Sequence, residues 1–193
     1  MGSVVRRWQF GAGQPSGGRR FKKSCRINPQ EPSDHALGRS RGGFGSKFHV
    51  VTDGTGLPLA IEVSQGQAHE STCFEPVMNA IRIPQPQGRP RTRPGSLAAD
   101  KGYSCRWIRA WLREHKIRAV IPRKSNELQD DRMRFDRDEY RRRSGVECCV
   151  GWLKECRRIA TRFEKLAVNF LAMLKLAMIE QYLRYEIRFS DRA

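Results

Sequence analysis

The sequence predicts an α/β fold, on three observations. Apolar residues alternate on both sides of a tight Asp53-Gly54-Thr55-Gly56 turn, short apolar runs close at Asp100 and Ile121, and helical spacing recurs between and after them. In SKFHVVTDGTGLPLAIEVSQG, Phe48 and Val50 precede the turn, and Leu57, Leu59, Ile61 and Val63 come after it with period two. This is the pattern of a hairpin with one buried face. Ser71 is a good N-cap for a helix carrying Phe74, Val77, Met78 and Ile81 on one face. The Pro- and Arg-rich stretch PQPQGRPRTRPGS then leads into SLAAD, a strand ending at Asp100 and succeeded by Lys101-Gly102-Tyr103. Trp107, Ile108, Trp111 and Leu112 share one face of the next helix, with Phe74 and the two tryptophans read as core. Arg118 to Ile121 is apolar enough for another buried strand, closed by Pro122. A polar loop runs through residue 135, and two long helical patterns, 137 to 158 and 166 to 186, finish the chain.

Composition narrows the partner. Lys and Arg total 37 against 20 Asp and Glu, a formal net charge of +17 over 193 residues. Such an excess argues for a polyanion, nucleic acid first, because basic side chains neutralise phosphates and release counterions. A membrane surface is disfavoured, since no basic amphipathic helix stands apart from the rest. No signal peptide opens the sequence, and no apolar run approaches the roughly 18 residues of a membrane span. Six cysteines, at 25, 73, 105, 148, 149 and 156, form no CxxC pair, which reads as reduced thiols in a cytoplasmic protein. A zinc module from Cys148, Cys149, Cys156 and His115 has the wrong spacing, and helix cysteines are usually small buried hydrophobes. Residues 1–45, rich in Gly, Arg, Ser and Pro, read as a basic arm, leaving 46–187 as the folded domain. His49 is expected on the surface or facing along a strand, and Glu70, after His69, is placed to favour a helix N-terminus.

In EYRRRSGVECCVGWLK, Tyr140, Arg143, Glu147 and Lys154 fall within an arc of roughly 60° on one helix face. A solvent-facing stripe of local ion pairs and a functional row both account for this spacing, although the apolar neighbours Val146, Cys148, Cys149 and Val150 crowd the glutamate. Asp100 ends a buried strand, where open α/β sheets collect their ligands, and Gly102 lets the backbone pass close to a neighbour. Two converging carboxylates suit hard divalent cations, and equally suit pairing with nearby arginines.

Tyr-x2-Arg-x3-Glu-x6-Lys, filled by Tyr140, Arg143, Glu147 and Lys154, resembles the signature of the DDE transposases of bacterial insertion sequences. AADKGY resembles that family's second aspartate block. GRSRGGFGSKFHVVTDGTGLPLAIEVSQGQAHES and CRRIATRFEKLAVNFLAM resemble its flanking segments, so the likeness spans about residues 38–180. The resemblance implies an RNase H-like mixed sheet with helices on both faces. It also implies metal-dependent cleavage at element ends, then joining of the freed 3′-OH to target DNA. Asp100 and Glu147 would be the second and third metal-ligating acids, holding two Mg²⁺ or Mn²⁺ ions in a complete site. Arg143 and Lys154 would hold DNA phosphates, and Tyr140 would lie against the end of the element. The partners implied are double-stranded terminal repeats and target DNA, with a homodimer or an N-terminal frame product as protein partners, in a bacterial cytoplasm near the nucleoid.

One departure stands out. In the family the first acid ends the first strand and is succeeded by a small residue, an apolar pair and Arg. Gly2, Ser3, Val4, Val5 and Arg6 fit the positions after that acid, so Met1 stands where the aspartate belongs and the first strand is expected to be missing. Asp53 is expected at the wrong end of the sheet to replace it, and nothing fixes Asp34. The expected product is therefore a truncated copy or a second-frame transposase polypeptide, poorly stable alone. It would either cut DNA once completed by the first acid or act as a non-catalytic DNA-binding regulator of full-length enzyme.

Overall fold

A computed structural model describes residues 7–13, 33–40, 43–124 and 135–190. Its centre is a mixed sheet with strand order β4-β3-β1-β5-β6, in which β2 also pairs with β3. The strands are β1 (Arg7–Gly13), β2 (Gly38–Ser40), β3 (Gly43–Asp53), β4 (Pro58–Gln65), β5 (Ser96–Ala99) and β6 (Arg118–Val120). β1 runs antiparallel to β3 and parallel to β5, and β5 runs parallel to β6. The helices are α1 (Phe74–Ala80), α2 (Arg106–Glu114), α3 (Arg137–Arg141), α4 (Ser144–Glu155), α5 (Arg157–Ala160) and α6 (Ala167–Ser190). This is the RNase H-like arrangement that the resemblance implied.

The expected gap beside the hairpin is corrected: Arg7–Gly13 fills it as the central strand. The Gly/Arg-rich composition of the presumed arm hid a period-two pattern. Trp8 and Phe10 point to one face and are fully buried, while Gln9, Gly11 and Gly13 point to the other. The glycines are there for close approach. A Cβ on Gly11 would come within 2.8 Å of Val146 Cγ2, and one on Gly13 would enter the Phe48 ring. With this strand in place the physical reason for expecting poor stability is gone. The arm boundary at residue 45 also shifts, since β2 and the start of β3 lie before it. Met1–Arg6, including the expected position of the first acid, lie outside the described residues, as do 14–32, Cys25 among them, and 125–134.

Each face of the sheet carries its own core. Trp8, Phe10, Val51, Leu97, Tyr103 and Ile108 pack with α1 and α2 on one side. Phe48, Val50, Ile61, Val146, Leu153 and Phe170 pack with α4, α5 and α6 on the other. Trp107, read as core, is 43% exposed, its ring edge-on to Phe74. The helix expected from Ser71 begins instead as a 3-10 turn, Glu70–Cys73, whose first N–H groups are served by His69 Nδ1 accepting from Ser71 N at 3.2 Å. Arg162 fastens the second core to the Ser33–His35 turn by donating to His35 O (2.7 Å) and to Ser46 Oγ, with Phe170 beneath its guanidinium.

His49 is the other correction. It is fully buried, and bridges the hairpin to Tyr103. His49 Nε2 is hydrogen-bonded to Ser64 Oγ (2.9 Å) and Nδ1 to Tyr103 Oη (3.1 Å), one ring nitrogen donating and the other accepting in the neutral imidazole. Burial, helped by the nearby Lys47 charge, lowers the histidine pKa to about 4, and burial together with the charges of Glu70, Cys73 and Asp100 raises that of Tyr103. Between pH 6.5 and 4 the unfolded histidine therefore binds a proton that the folded one refuses. Stability is full above about pH 6.5 and falls as pH drops through that window, by on the order of 3 kcal/mol for this residue. Thermal melts of the wild type should drop steeply from pH 6.5 to 4, whereas His49→Gln should start lower and lose this part of the slope. Equal slopes would place the acid sensitivity elsewhere.

Candidate active site at the ends of the central strands

β5 delivers Asp100 to the C-terminal end of the sheet, where the backbone leaves the strand into the 3-10 turn Lys101–Tyr103. The carboxylate caps that turn, Oδ1 accepting from Lys101 N at 2.7 Å, and remains exposed. The β1–β5 register pairs Phe10 with Ala99, so Gly11 lies level with Asp100. A cavity of about 250 Å³ opens there, lined by Gly11, Ala12, Glu70, Asp100, Tyr103, Arg143, Val146, Glu147 and Val150. Asp100 and Glu147, far apart in sequence, therefore line one space, and Arg143 lines it with them.

Glu147 reaches this wall because the expected helix over 137–158 is broken. α3 ends at Arg141, Arg142 and Arg143 form a turn, and α4 starts at Ser144. The break is made by Gln9 of β1. Its Nε2 donates to Arg142 O at 2.7 Å, and its Oε1 accepts from Val146 N at 2.9 Å. Those two backbone groups would have bonded each other in an unbroken helix, so the carboxamide stands in for one rung of the ladder. Gly145 leaves room for it, since a Cβ there would sit 2.8 Å from Gln9 Oε1. α3 is anchored separately by the buried Glu139, which accepts from Ser96 Oγ and Arg118 Nη2 and lies 3.9 Å from Arg7 Nε.

The four signature residues consequently do not form one straight row. Arg143 Nη2 donates to Glu147 Oε1 at 2.5 Å, and its guanidinium lies 5.4 Å from the centre of the Tyr140 ring. Tyr140, on α3, also packs against Phe135. Lys154 lies near the end of α4, away from the cavity lining, with no ion-pair partner among the described residues. Asp53 cannot serve the site: its Oδ1 accepts from Thr55 N, Thr55 Oγ1 and Leu57 N within the hairpin turn, level with Trp8 at the start of β1. Asp34 sits beside His35, 3.8 Å from its Nε2. His115 stacks on Trp111 at the end of α2, on a different element from Cys148, Cys149 and Cys156. Burial pushes the Cys149 thiol up to about 12, in keeping with an inert core residue.

Sequence reasoning missed Gln9 and Glu70. The position of Glu70 after His69 suggests a helix start, yet it lines the cavity, 3.6 Å from Lys47 Nζ. Gly102 is the clue: a Cβ there would fall 1.8 Å from Glu70 Oε2, so the close neighbour for which that glycine makes room is this carboxylate.

The donor set can be tested against the divalent ions that the resemblance implies. Glu70, Asp100 and Glu147 offer the hard oxygen donors Mg²⁺ prefers. However, no group of three His, Cys, Asp or Glu side chains converges to metal-binding range among the described residues. At the corner of β1 stand Gly11 and Ala12, and Glu147 is occupied by Arg143. The described residues therefore do not fit a complete two-ion site.

The chain is similar to known proteins in three comparisons. The profile of the family described as Transposase DDE domain matches residues 24–179. The transposase named for insertion sequence element IS402 of Burkholderia cepacia is 35% identical over 133 residues, 68% of this chain and 60% of that protein. The one named for element IS6501 of Brucella ovis is 27% identical over 139 residues, 72% of this chain and 98% of that protein. The chain thus spans about 60% of the length of the first of these relatives. Among solved structures, a piggyBac transposase synaptic complex with hairpin DNA aligns with 98% of this chain and 49% of its own, at a TM-score of 0.54 and 10% identity, a likeness of fold.

Two substitutions test the geometry. Gln9→Ala removes the shorter partner of Arg142 O and of Val146 N, which keep Gly145 N (3.4 Å) and Arg143 O (3.1 Å), and should cost about 1–2 kcal/mol in denaturant unfolding. A loss below about 0.5 kcal/mol would show that the break closes without Gln9. Ala12→Asp adds a carboxylate at the β1 corner to the three already on the cavity wall, and calorimetry should find Mn²⁺ bound at least about tenfold more tightly than by wild type. Unchanged affinity would mean that Asp100 and Glu147 cannot share an ion.

Proposed function

The chain belongs to the DDE transposase family, and from that premise we propose that it binds the ends of an insertion sequence with Asp100 and Glu147 at the catalytic corner. The observation that carries this reading is the convergence of those two acids, one from a strand end and one from a helix, on a single cavity beside Arg143. Arg143 presents a planar guanidinium suited to two phosphate oxygens, Lys154 a point charge, and Tyr140 an aromatic face already stacked with the arginine. The net charge of +17 supplies the long-range attraction. The piggyBac structure is a complex with hairpin DNA, and the same class of partner is proposed here.

Cleavage and strand transfer with Mg²⁺ or Mn²⁺ belong to this proposal as a conditional step. They require a further acid at the β1 corner, because Glu70, 3.6 Å from Lys47 Nζ, does not converge with Asp100 and Glu147 to hold an ion. The occupation of the β1 corner by Gly11 and Ala12 favours a second reading, in which the chain binds element ends without cutting them and regulates full-length enzyme. Both readings place the protein in the cytoplasm with the DNA. No helix among the described residues is long and apolar enough to cross a membrane.

A terminal-repeat duplex tests the reading directly. Lys154→Ala should weaken binding and reduce the salt dependence of the binding constant by about one counterion. Glu147→Ala should leave binding as strong as wild type or tighter, since it frees Arg143 for phosphate, while abolishing any nicking in Mg²⁺ or Mn²⁺. Wild-type nicking would select the catalytic reading, and binding without nicking the regulatory one. Failure of the wild type to bind duplex DNA would sink both.

A further inference from the structure

Between α5 and α6 the chain makes a short loop, residues 161–166, whose shape is set by one side chain. Arg162 folds back under it, Nε donating to Glu164 O (2.8 Å) and Nη2 to Lys165 O (2.8 Å). The same guanidinium is tied to Ser46 Oγ and to His35 O (2.7 Å), and lies 5.1 Å from the centre of the Phe170 ring. Glu164 adds a further tie, its Oε1 3.7 Å from Arg158 Nε. Two carbonyls are thus turned inward onto a fixed cation, and Phe163 between them and Arg162 is left 57% exposed. An aromatic ring held out in water by such a clamp is preorganised for a partner, because little ordering remains to be lost on binding.

The loop stands at the cavity end of the sheet. β1 and β3 pair Gly13 with Phe48, and Ser46, which holds Arg162, lies two residues further toward that end. Lys154 is in the last turn of α4 at the same end, next to Leu153, which shares a core with Phe48. Besides Arg162, residues 154–165 carry Lys154, Arg157, Arg158 and Lys165, against Glu155 and the already paired Glu164.

We propose that Phe163 is a stacking platform for an unpaired base at the end of the DNA. The inference rests on the DNA reading above and adds a contact with a base, where Arg143 and Lys154 address phosphates. A phenyl ring has no donor or acceptor with which to read a base edge. Inside a duplex it can meet a thymine methyl in the groove, whereas an unpaired base offers its whole π-face. The neighbouring cations suit the phosphates on either side of such a base, and an apolar partner would leave them unmatched. A base already unpaired is preferred, since a paired one must first be taken out of its stack.

The full chain is to be titrated with a terminal-repeat duplex, either fully paired or mismatched in its last base pairs. The wild type should bind the mismatched end at least about fivefold more tightly. Phe163→Ala should lose that preference while holding the paired duplex as the wild type does, and Phe163→Trp should keep it. Lys154→Ala, by contrast, should weaken both duplexes alike. Equal affinity of the wild type for the two duplexes overturns the proposal and leaves the DNA reading standing. So does a preference that survives Phe163→Ala, or an equal loss on both duplexes in that variant, which would mark a groove contact. Loss of the preference in Phe163→Trp as well would mark a disturbed loop and also overturns it. A wild type that binds neither duplex overturns both the platform and the DNA reading.

Discussion

The carboxamide of Gln9 is the contact on which the rest of the arrangement turns. It sits on the central strand of the sheet, is 4% exposed, and replaces the missing bond between Arg142 O and Val146 N. The turn keeps longer bonds of its own, Val146 N to Arg143 O (3.1 Å) and Gly145 N to Arg142 O (3.4 Å), and Gln9 adds a shorter partner to each end of the break. By bridging both, Gln9 fixes the direction in which α4 departs, and hence where Glu147 stands relative to Asp100. The same strand places Gly11 level with Asp100 through its parallel register with β5. One short strand thus sets both walls of the cavity.

That strand works only because its two faces obey different rules. Trp8 and Phe10 fill the α1–α2 side with large rings, Phe10 meeting Tyr103 edge-on with ring centres 4.5 Å apart. Gln9, Gly11 and Gly13 keep the α4 side thin, so that Val146 and Phe48 approach the backbone directly. A slip of one residue in the β1 register would drive two aromatics into α4 and leave a polar amide among Phe74, Leu97 and Ile108. The pairing is therefore specified by side-chain volume, although the segment carries few of the β-branched residues that usually announce a strand.

This explains what could be read from the sequence and what could not. The hairpin, β5, β6, α2 and α6 were legible because each carries enough apolar residues at the period of its own element. Asp100 and Glu147 were legible from their positions at a strand end and in a spaced signature. β1 was not, since seven residues containing two glycines look like the arm around them until their neighbours are known. The break between α3 and α4 was invisible for a related reason: its cause, Gln9, lies more than a hundred residues away. His49 looked like one more residue of an alternating strand. Its burial comes from two partners, Ser64 and Tyr103, that only the folded sheet brings together.

The placement of the second core carries a consequence for how the chain is made. Phe48, Val50 and Ile61 are covered by Val146, Leu153, Phe170 and Leu174, which leave the ribosome roughly 100 residues later, at least some 5 s of synthesis. During that interval the nascent hairpin has one face closed by α1 and the other open to water. The chain emerges as half a molecule with a greasy back, and cannot seal itself until its last helix is free of the exit tunnel. Holding by a chaperone over those seconds, or slow dilution in refolding, should govern how much of the polypeptide reaches the native state.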